Sequence, residues 1–348
     1  MITVQDRIEI AQSSLDRLLT LVYDQYREAA TQRGLQFVEY QISPPVRLHD
    51  GPVTVWLRWQ VADVDAWWAM RAQSGTPDVA QFWSVVDSLC FSRERQYLTG
   101  DAPTDLPGAV DISSFISSSA GYRETAQLRL QNSVDEAQRP EFETALRNAM
   151  AELPGLKVAS LSANYAPEYA AGHYTWDLLY ADFDAAEHAR QSAAWQITIT
   201  DTLARYCAAC HALRLGTISA GMRRHDLKNG IKRTAYFRLL PGTSVVTAQR
   251  FERDLLEMPA QIPKILNWRL SRASTVSWDT ADCAPWTYVW EQEFASLDDL
   301  LGPYMTHPHH WAHIDRWFDP ESGIQAVDVQ LSHAFSFLET SILHHELQ

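Results

Sequence analysis

A short segment near the C-terminal end, residues 304–310, carries the side chains best suited to acid–base chemistry. It begins with Tyr304 and continues to His307, Pro308 and His310. Proline disfavours the α conformation at the residue before it and fits the first position of a helix, so a new helix is expected at Pro308. His310 then lies in the first turn, where the helix dipole disfavours an imidazolium. A neutral imidazole can accept a proton near pH 7, and Tyr304 can donate a hydrogen bond to a substrate oxygen.

Other polar and aromatic side chains are predicted to bind the molecule on which this pair acts. Arg233 is always charged, and its planar fork suits a carboxylate or a phenolate. The chain has 13 Trp, 13 Tyr and 12 Phe, which favours an aromatic core and also pockets for aromatic or apolar ligands. The predicted catalytic residues are His310 and Tyr304, and the predicted substrate-binding residues are Arg233, His307, Tyr236, Trp268 and Trp290.

Two further motifs resemble metal or haem sites. Histidines occupy positions 307, 309, 310 and 313, but zinc sites usually combine spaced ligands with a carboxylate or thiol, and the proline break turns these side chains apart. We therefore predict no metal site. Cys207-Ala-Ala-Cys210-His211 matches the attachment pattern for c-type haem. That chemistry needs export, and residues 198–214 are predicted as one packed helix, so both cysteines are assigned to the core.

The elements that must position these residues follow a β-α-β-β-α-β order in the C-terminal third. Strand patterns cover residues 234–240, 264–272, 286–294 and 324–337, and helical patterns cover residues 246–257 and 296–304. A weaker copy begins at residues 124–129, and the N-terminal hundred residues fit a third copy whose first strand the sequence does not locate. We predict an α+β fold of tandem ferredoxin-like modules, two clear and a third diverged, at residues 1–108, 118–222 and 230–342. Segments rich in turn residues, 100–108 and 221–230, are the predicted boundaries.

The number of modules determines which oligomeric state the sequence predicts. A single four-stranded ferredoxin-like sheet has one face covered by helices and one bare face that must pack on another sheet. Two copies in one chain can pair into a barrel. The bare sheet face of a third copy then has no partner sheet in the same chain. We therefore predict a homodimer.

Three stretches, residues 233–242, 259–268 and 294–310, resemble the Dabb family of stress-responsive dimeric α/β-barrels. Within that family the C-terminal module is similar to olivetolic acid cyclase, whose tyrosine and final motif histidine fall on Tyr304 and His310. The resemblance implies an acid–base pair that works without a cofactor. The chain departs from the cyclase at the first strand, where Arg233 stands in place of a histidine.

An alternative resemblance is to the aldoxime dehydratases, which are haem-dependent lyases of similar length. That resemblance implies a haem with His310 as its axial ligand, and His333 as a distal acid–base residue. A third alternative is a barrel that binds small molecules, or serves in stress, without catalysis.

Charge and composition narrow the class of partner. With 29 Lys plus Arg and 43 Asp plus Glu, the formal net charge is −14, which gives no electrostatic footprint for nucleic acid or an anionic membrane. No apolar run is long enough to span a bilayer, the first residues lack the pattern of a signal peptide, and four cysteines make no disulfide scaffold. We predict a cytoplasmic enzyme, a cofactor-independent lyase, cyclase or isomerase acting on an aromatic or polyketide-like small molecule.

Overall fold

The structure, a computed structural model, describes residues 1–46, 51–100 and 108–347. Packing divides the chain into two compact units, each built from several stretches. The first unit comprises Met1–Gly108, Thr243–Leu255 and Met305–Val329, and the second comprises Ala109–Gly242, Leu256–Tyr304 and Gln330–Gln348. Residues 243–255 and 305–329 are thus grouped with the N-terminal segment rather than with the rest of the predicted module 230–342. Residues 101–107 of the predicted linker lie outside the described residues.

The sheet of the first unit has the ferredoxin-like strand order β2-β3-β1-β4, with antiparallel neighbours. Its strands are β1 (Ile2–Ala11), β2 (Gln36–Ser43), β3 (Pro52–Val61) and β4 (Cys90–Leu98). The N-terminal helices are α1 (Leu15–Leu21), a helical turn (Val22–Tyr26), α2 (Arg27–Gln32), α3 (Val64–Arg71) and α4 (Pro77–Leu89). The first strand that the sequence did not locate is therefore Ile2–Ala11, which carries charged residues between its buried ones and so masks the strand pattern.

Local signals in this unit explain where its helices begin and end. Asp63 caps α3, and its Oδ1 accepts a hydrogen bond from the Ala66 amide at 2.8 Å. Gly34 follows α2 with a φ of +92°, a conformation that glycine adopts without steric cost. The helices cover a core of aliphatic and aromatic side chains that includes Val55, Leu57 and Trp59 of β3.

The second unit contains eight antiparallel strands in the order β13-β10-β12-β11-β9-β6-β8-β7, and a two-residue strand, β5 (Ile116–Ser117), pairs with β9. The eight are β6 (Tyr122–Leu130), β7 (Leu156–Ala163), β8 (Tyr174–Tyr180), β9 (Cys207–Met222), β10 (Lys228–Phe237), β11 (Asn267–Thr275), β12 (Tyr288–Phe294) and β13 (Ser332–Thr340). Each half of this order repeats the ferredoxin-like pattern. The predicted α+β fold of tandem ferredoxin-like modules is confirmed.

The two edge strands of this sheet meet, which closes it into a barrel. Asn164, just after β7, forms a β-bridge with Ser336 of β13, and the Tyr165 amide donates to the Phe335 carbonyl at 2.8 Å. Closure gives β10 and β12 one face toward the barrel interior and one face toward the outside. Alternate residues therefore belong to two different environments, and this decides which predicted site residues can act together.

The helices of the C-terminal two thirds include one departure from the sequence prediction. They are α5 (Arg139–Ala151), α6 (Phe183–Gln191), a turn (Ala194–Ile199), α7 (Thr200–Tyr206), α8 (Val245–Gln261), α9 (Leu297–Asp299), turns at Leu300–Tyr304, His309–Ile314, Asp315–Trp317 and Pro320–Ser322, and α10 (Leu343–Glu346). The predicted helix over residues 198–214 is wrong beyond Tyr206, because β9 begins at Cys207 and pairs with both β6 and β11. Two ladders of backbone hydrogen bonds override the weak helical preference of this segment.

No helix in the described part of the chain has the length and apolar character needed to cross a membrane.

Candidate functional site

Arg233 lies on the outward face of β10 and is held by residues of the two neighbouring strands. Its Nη1 donates to Gln292 Oε1 at 2.8 Å, and Gln292 is its direct partner across β12. Its Nη2 lies 3.0 Å from Nε2 of His333 on β13. Because arginine only donates, His333 Nε2 accepts, and the neutral ring then carries its proton on Nδ1. Three adjacent strands thus fix the direction of the guanidinium.

This guanidinium is buried, and the described residues supply no negative partner for it. Arg233 is 4% exposed, and no Asp or Glu in the described residues forms an ion pair with it. Burial lowers the pKa of Arg233 because the charged form loses water, yet arginine stays charged in proteins. An uncompensated buried charge is costly, so a site that keeps one is built to receive a negative group.

Three further donors on the same face are buried and make no hydrogen bond within the described residues: Gln292 Nε2, Trp290 Nε1 and Trp268 Nε1. Gln292 and Trp290 belong to β12, two positions apart, and Trp268 is the partner of Gln292 on β11, so all three share a face with Arg233. Native proteins satisfy most buried donors. These unsatisfied donors and the Arg233 guanidinium therefore lie on one buried face of the sheet.

Tyr304 packs over this group from the helical turn Leu300–Tyr304. Its ring centre lies 5.7 Å from the Arg233 guanidinium carbon and 5.3 Å from the Phe294 ring, and the residue is 1% exposed. The aromatic face stabilises the cation, and the phenol adds a hydroxyl to the cluster. The structure thus brings together Arg233, Trp290 and Tyr304 of the predicted site residues.

Two other predicted residues have different surroundings. Trp268 is the partner of Gln292 on β11, and its ring covers Gly221, where an added Cβ would lie 2.1 Å from the ring. Trp268 therefore fills a fixed packing position beside the cluster. Tyr236 does not join the other site residues, because an odd offset from Arg233 turns its side chain into the barrel interior. There its hydroxyl lies 3.4 Å from Thr125 Oγ1.

His307 and His310 belong to the first unit. The helical segment His309–Ile314 begins just after Pro308, as predicted, and the His310 amide donates to the His307 carbonyl at 2.9 Å. The His310 ring is 5.3 Å from the ring of Trp68. Burial lowers the pKa of His307, and its Nε2 has no hydrogen-bond partner within the described residues. Both histidines are buried, and a buried neutral imidazole can exchange a proton.

A cavity of 420 Å³ lies against the same segment of the first unit. Its lining includes Tyr97, Thr306, Pro308 and Trp311, but neither His307 nor His310. Trp311 packs between the rings of Trp67 and Tyr97, at 5.4 and 6.0 Å, so this wall is part of the aromatic core. The polar side chains on its lining are Asp63, Tyr97, Thr99 and Thr306.

Charged side chains of the second unit fill the interior of its barrel. Lys232 Nζ lies 2.6 Å from Asp177 and 2.7 Å from Glu291, and Arg123 lies 2.7 and 3.0 Å from the same two carboxylates. Glu346 of α10 accepts from Arg123 at 3.2 Å and from Arg269 at 2.8 Å. Three cations and three anions thus fill the barrel interior at the level of these residues.

The sequence alone predicts neither the role of Gln292 nor the hydrogen bond between His333 and Arg233. Gln292 follows Trp290 by two positions on a predicted strand, so strand alternation alone places them on one face. The link to His333 needs the pairing of β13 with β10, which joins residues a hundred positions apart. That pairing has no local signal in the sequence.

Comparison with known proteins places the C-terminal segment in a family. Curated protein sequences yield no relative of this chain. Solved structures with a similar fold include an anthrone oxidase-like protein, which is 9% identical, has a TM-score of 0.47, and covers 64% of this chain and 94% of its own. A NIPSNAP domain protein from Burkholderia xenovorans has 16% identity, a TM-score of 0.25, and coverage of 30% and 97%.

A dimeric ferredoxin-like protein from Thermobifida fusca has 18% identity, a TM-score of 0.25, and coverage of 28% and 92%. Likenesses at this level carry no information about a reaction. The family model described as the stress responsive A/B barrel domain matches residues 231–331, which include Arg233, Gln292, Tyr304 and the His307–His310 motif. The resemblance to this family that the sequence indicates is confirmed as a match over residues 231–331.

Proposed function

We propose that the chain is an enzyme that binds a small aromatic or polyketide-like molecule at Arg233 and transfers a proton on it without a cofactor. The reaction class is that of a lyase, cyclase or isomerase. The observation that supports it most is the buried Arg233 guanidinium, which has no carboxylate partner among the described residues and shares its face with unsatisfied donors. Such a group stabilises negative charge that develops on a carbonyl or phenol oxygen when an adjacent proton leaves.

The residues take separate parts in this proposal. Arg233, Gln292 and Trp290 hold the oxygen that becomes an enolate or phenolate. Tyr304, which packs on the guanidinium, donates or accepts the proton at that oxygen. Separately from these residues of the second unit, His310 of the first unit is proposed as a general base in its own surroundings beside Trp68. The alternative of a barrel that binds without catalysis uses the same three donors and differs only in lacking the transfer.

Replacing Arg233 by methionine is expected to weaken ligand binding by about ten- to a hundredfold, since a hydrogen bond to a charged group contributes about 1.5–3 kcal/mol. Titration calorimetry with benzoate, salicylate and 2,4-dihydroxybenzoate measures the effect. Methionine fills a similar volume, and apolar replacements of buried charges often leave the fold intact. Thermal unfolding of the variant checks this.

Arg205→Met is the matched control for that experiment. Arg205 lies in the same unit, its side chain is 59% exposed, and it pairs with Glu141 at 3.3 Å. Its replacement should leave binding unchanged. Equal affinities of the Arg233→Met variant and the unchanged protein, or no binding of any of the three probes to the unchanged protein, would count against an oxyanion site.

Replacing His310 by alanine is expected to slow proton transfer at least about 100-fold, the usual contribution of a general base. Solvent deuterium entering the methyl group of acetophenone, followed by nuclear magnetic resonance, measures this transfer without knowledge of the natural substrate. His309→Ala is the control, because His309 is its half-buried neighbour and is not proposed to act. If both variants exchange at the rate of the unchanged protein, His310 is not the base.

Haem binding is the alternative that a visible spectrum separates from this proposal. A Soret band in protein prepared with added haem, lost in His310→Ala, would replace the cofactor-independent mechanism with the dehydratase type. The homodimer and the cytoplasmic location predicted from the sequence stay predictions.

A further inference from the structure

Cys207 and Cys210 lie on the same face of β9 because of a β-bulge. On a regular strand, residues three apart point to opposite faces. Here Cys207 pairs with Leu130 and Cys210 pairs with Leu128, and the register shifts between the two pairs. Directly paired residues share a face, and Leu128 and Leu130 are two positions apart on β6. The bulge therefore turns both thiols to the helix-covered side of the sheet.

Both cysteines line one cavity of 340 Å³. Its other walls are apolar or neutral and include Trp195, Leu203, Trp278 and Thr280. The Trp195 and Trp278 rings meet edge to face at 5.5 Å. Cys207 is half-buried, whereas Cys210 is 2% exposed, so a ligand reaches the first thiol before the second.

The loop that covers Cys210 holds it by the backbone. The Cys210 amide donates to Thr280 Oγ1 at 2.9 Å, and the Thr280 amide donates to the Cys210 carbonyl at 3.0 Å. Asp279 accepts from the Ala212 amide at 2.7 Å and places a negative charge nearby, which opposes a thiolate at Cys210. A hydrogen bond from the Cys207 thiol favours that thiolate and lowers the pKa of Cys210. The two sulfurs therefore interact within the cavity.

A disulfide bond, a metal ion and a trivalent arsenic centre differ in how well they suit two thiols in these surroundings. A disulfide needs Cα atoms within about 7 Å, whereas a strand advances about 3.3 Å per residue, so three steps disfavour it even with a bulge. Zinc needs four ligands, and a copper(I) ion between two thiolates carries a net negative charge, which Asp279 and the apolar walls oppose. A trivalent arsenic centre with one aryl group forms a neutral, three-coordinate product that needs only two sulfurs.

We propose that Cys207 and Cys210 form a chelating dithiol site for a trivalent organoarsenical or an equivalent neutral thiophilic electrophile. With an aryl arsenic oxide, each sulfur forms a bond to arsenic. The arsenic–oxygen bond breaks, and the oxygen leaves as water with the two thiol protons. No electron transfer occurs, so no oxidant or reductant is needed. The aryl group packs against the apolar walls formed by Trp195, Leu203 and Trp278.

The probe for this site is phenylarsine oxide, and intact-mass spectrometry of the full chain measures the adduct. We expect one equivalent bound per chain, stable to excess 2-mercaptoethanol and removed by 2,3-dimercaptopropanol. Cys207→Ser and Cys210→Ser should each weaken binding at least about 100-fold, because the second sulfur acts at a high effective concentration. Tryptophan emission should change on binding in the unchanged protein.

The two remaining cysteines supply matched controls. Cys283 is exposed and Cys90 is half-buried, and the serine variant of each should keep the adduct. Serine at the half-buried position 207 preserves the volume, and near-ultraviolet circular dichroism checks the packing of the variants. The proposal fails if either the Cys207→Ser or the Cys210→Ser variant keeps a monothiol-resistant adduct, or if the unchanged protein forms none. These results do not depend on Arg233 or His310.

Discussion

Replacing Glu321 by alanine is expected to lower the free energy of unfolding by about 3–5 kcal/mol, the usual cost of removing one partner of a buried ion pair. Glu321 is fully buried in the first unit, and its carboxylate accepts hydrogen bonds from several side chains. Arg33 donates to both of its oxygens at 2.9 and 2.7 Å, and Arg95 donates at 2.6 Å. Without the carboxylate, Arg33 is left with no counter-charge that the structure describes.

Two neutral donors complete the surroundings of Glu321. Tyr26 Oη donates at 2.6 Å and Trp83 Nε1 at 3.0 Å. All partners of the Glu321 carboxylate donate hydrogen bonds to it. The NH2 group of a glutamine would therefore place a donor opposite a donor. Glu321→Gln should therefore destabilise the protein as well, despite its nearly unchanged volume. Arg95 keeps a bidentate contact with Asp6 at 2.7 and 3.1 Å, which limits the loss on its side.

The backbone before and after Glu321 explains how a loop residue is held so firmly. Its amide donates to Asp319 Oδ1 at 3.0 Å. Gly323 follows with a φ of +77°, and a Cβ there would lie 2.3 Å from the Arg93 carbonyl oxygen. Arg93 Nη1 in turn donates to the Glu321 carbonyl at 2.6 Å. Only glycine allows this close approach.

Glu39→Ala supplies the control for this measurement. Glu39 pairs with Arg58 at 2.8 Å in the same unit, but both side chains are about 40% exposed, at 41% and 38%. Exposed pairs contribute about 0.2–1 kcal/mol, so urea unfolding should separate the two variants by several-fold in free energy. A loss below about 1 kcal/mol for Glu321→Ala would contradict the role assigned to this carboxylate.

The contribution of Glu321 should also depend on pH in a defined direction. The two guanidiniums hold its pKa well below the usual glutamate range. Its stabilisation is therefore complete above the unfolded pKa, near 4.3, and is lost as the pH falls toward the folded pKa. The difference between the unchanged protein and Glu321→Gln should stay constant from about pH 8 to 5 and shrink below about pH 4.

The sequence predicts what depends on neighbours along the chain and misses what depends on distant partners. The start of the helix predicted at residue 296 is an example of success, because the Asp299 amide that donates to the Ser296 side chain is three positions away. Glu321 is an example of failure, since its partner Arg33 is 288 positions away. Helix propensity misassigned residues 207–214 for the same reason, because the pairing with β6 and β11 decides that segment.

The candidate site shows the same limit. The types and spacing of Arg233, Tyr304 and His310 indicate acid–base chemistry, and strand alternation separates Arg233 from Tyr236. Two features that define the site cannot be seen locally. One is that no described carboxylate pairs with Arg233, and the other is the ion network that fills the barrel interior. Both become visible only when the strands of the two repeats are paired.

Replacing Lys232 by methionine tests that ion network and is expected to cost about 3–5 kcal/mol of unfolding free energy. Lys232 is fully buried and neutralises both Asp177 and Glu291, which hold two other cations, Arg123 and Arg269, in place. Its loss leaves three carboxylates against two cations in a buried space. The pKa of Asp177, which Arg123 and Lys232 now hold far below the usual range, should rise toward it.

Lys264→Met is the control, because Lys264 pairs with Asp299 at 2.7 Å in the same unit while its side chain is 52% exposed. That variant should lose less than about 1 kcal/mol. The double variant Lys232→Met with Asp177→Asn restores two charges of each sign and should recover part of the stability, which a double-mutant cycle by urea unfolding measures. If Lys232→Met is no worse than Lys264→Met, the interior tolerates an unpaired carboxylate. In that case the barrel itself, and not only the outward face at Arg233, has room for a polar ligand.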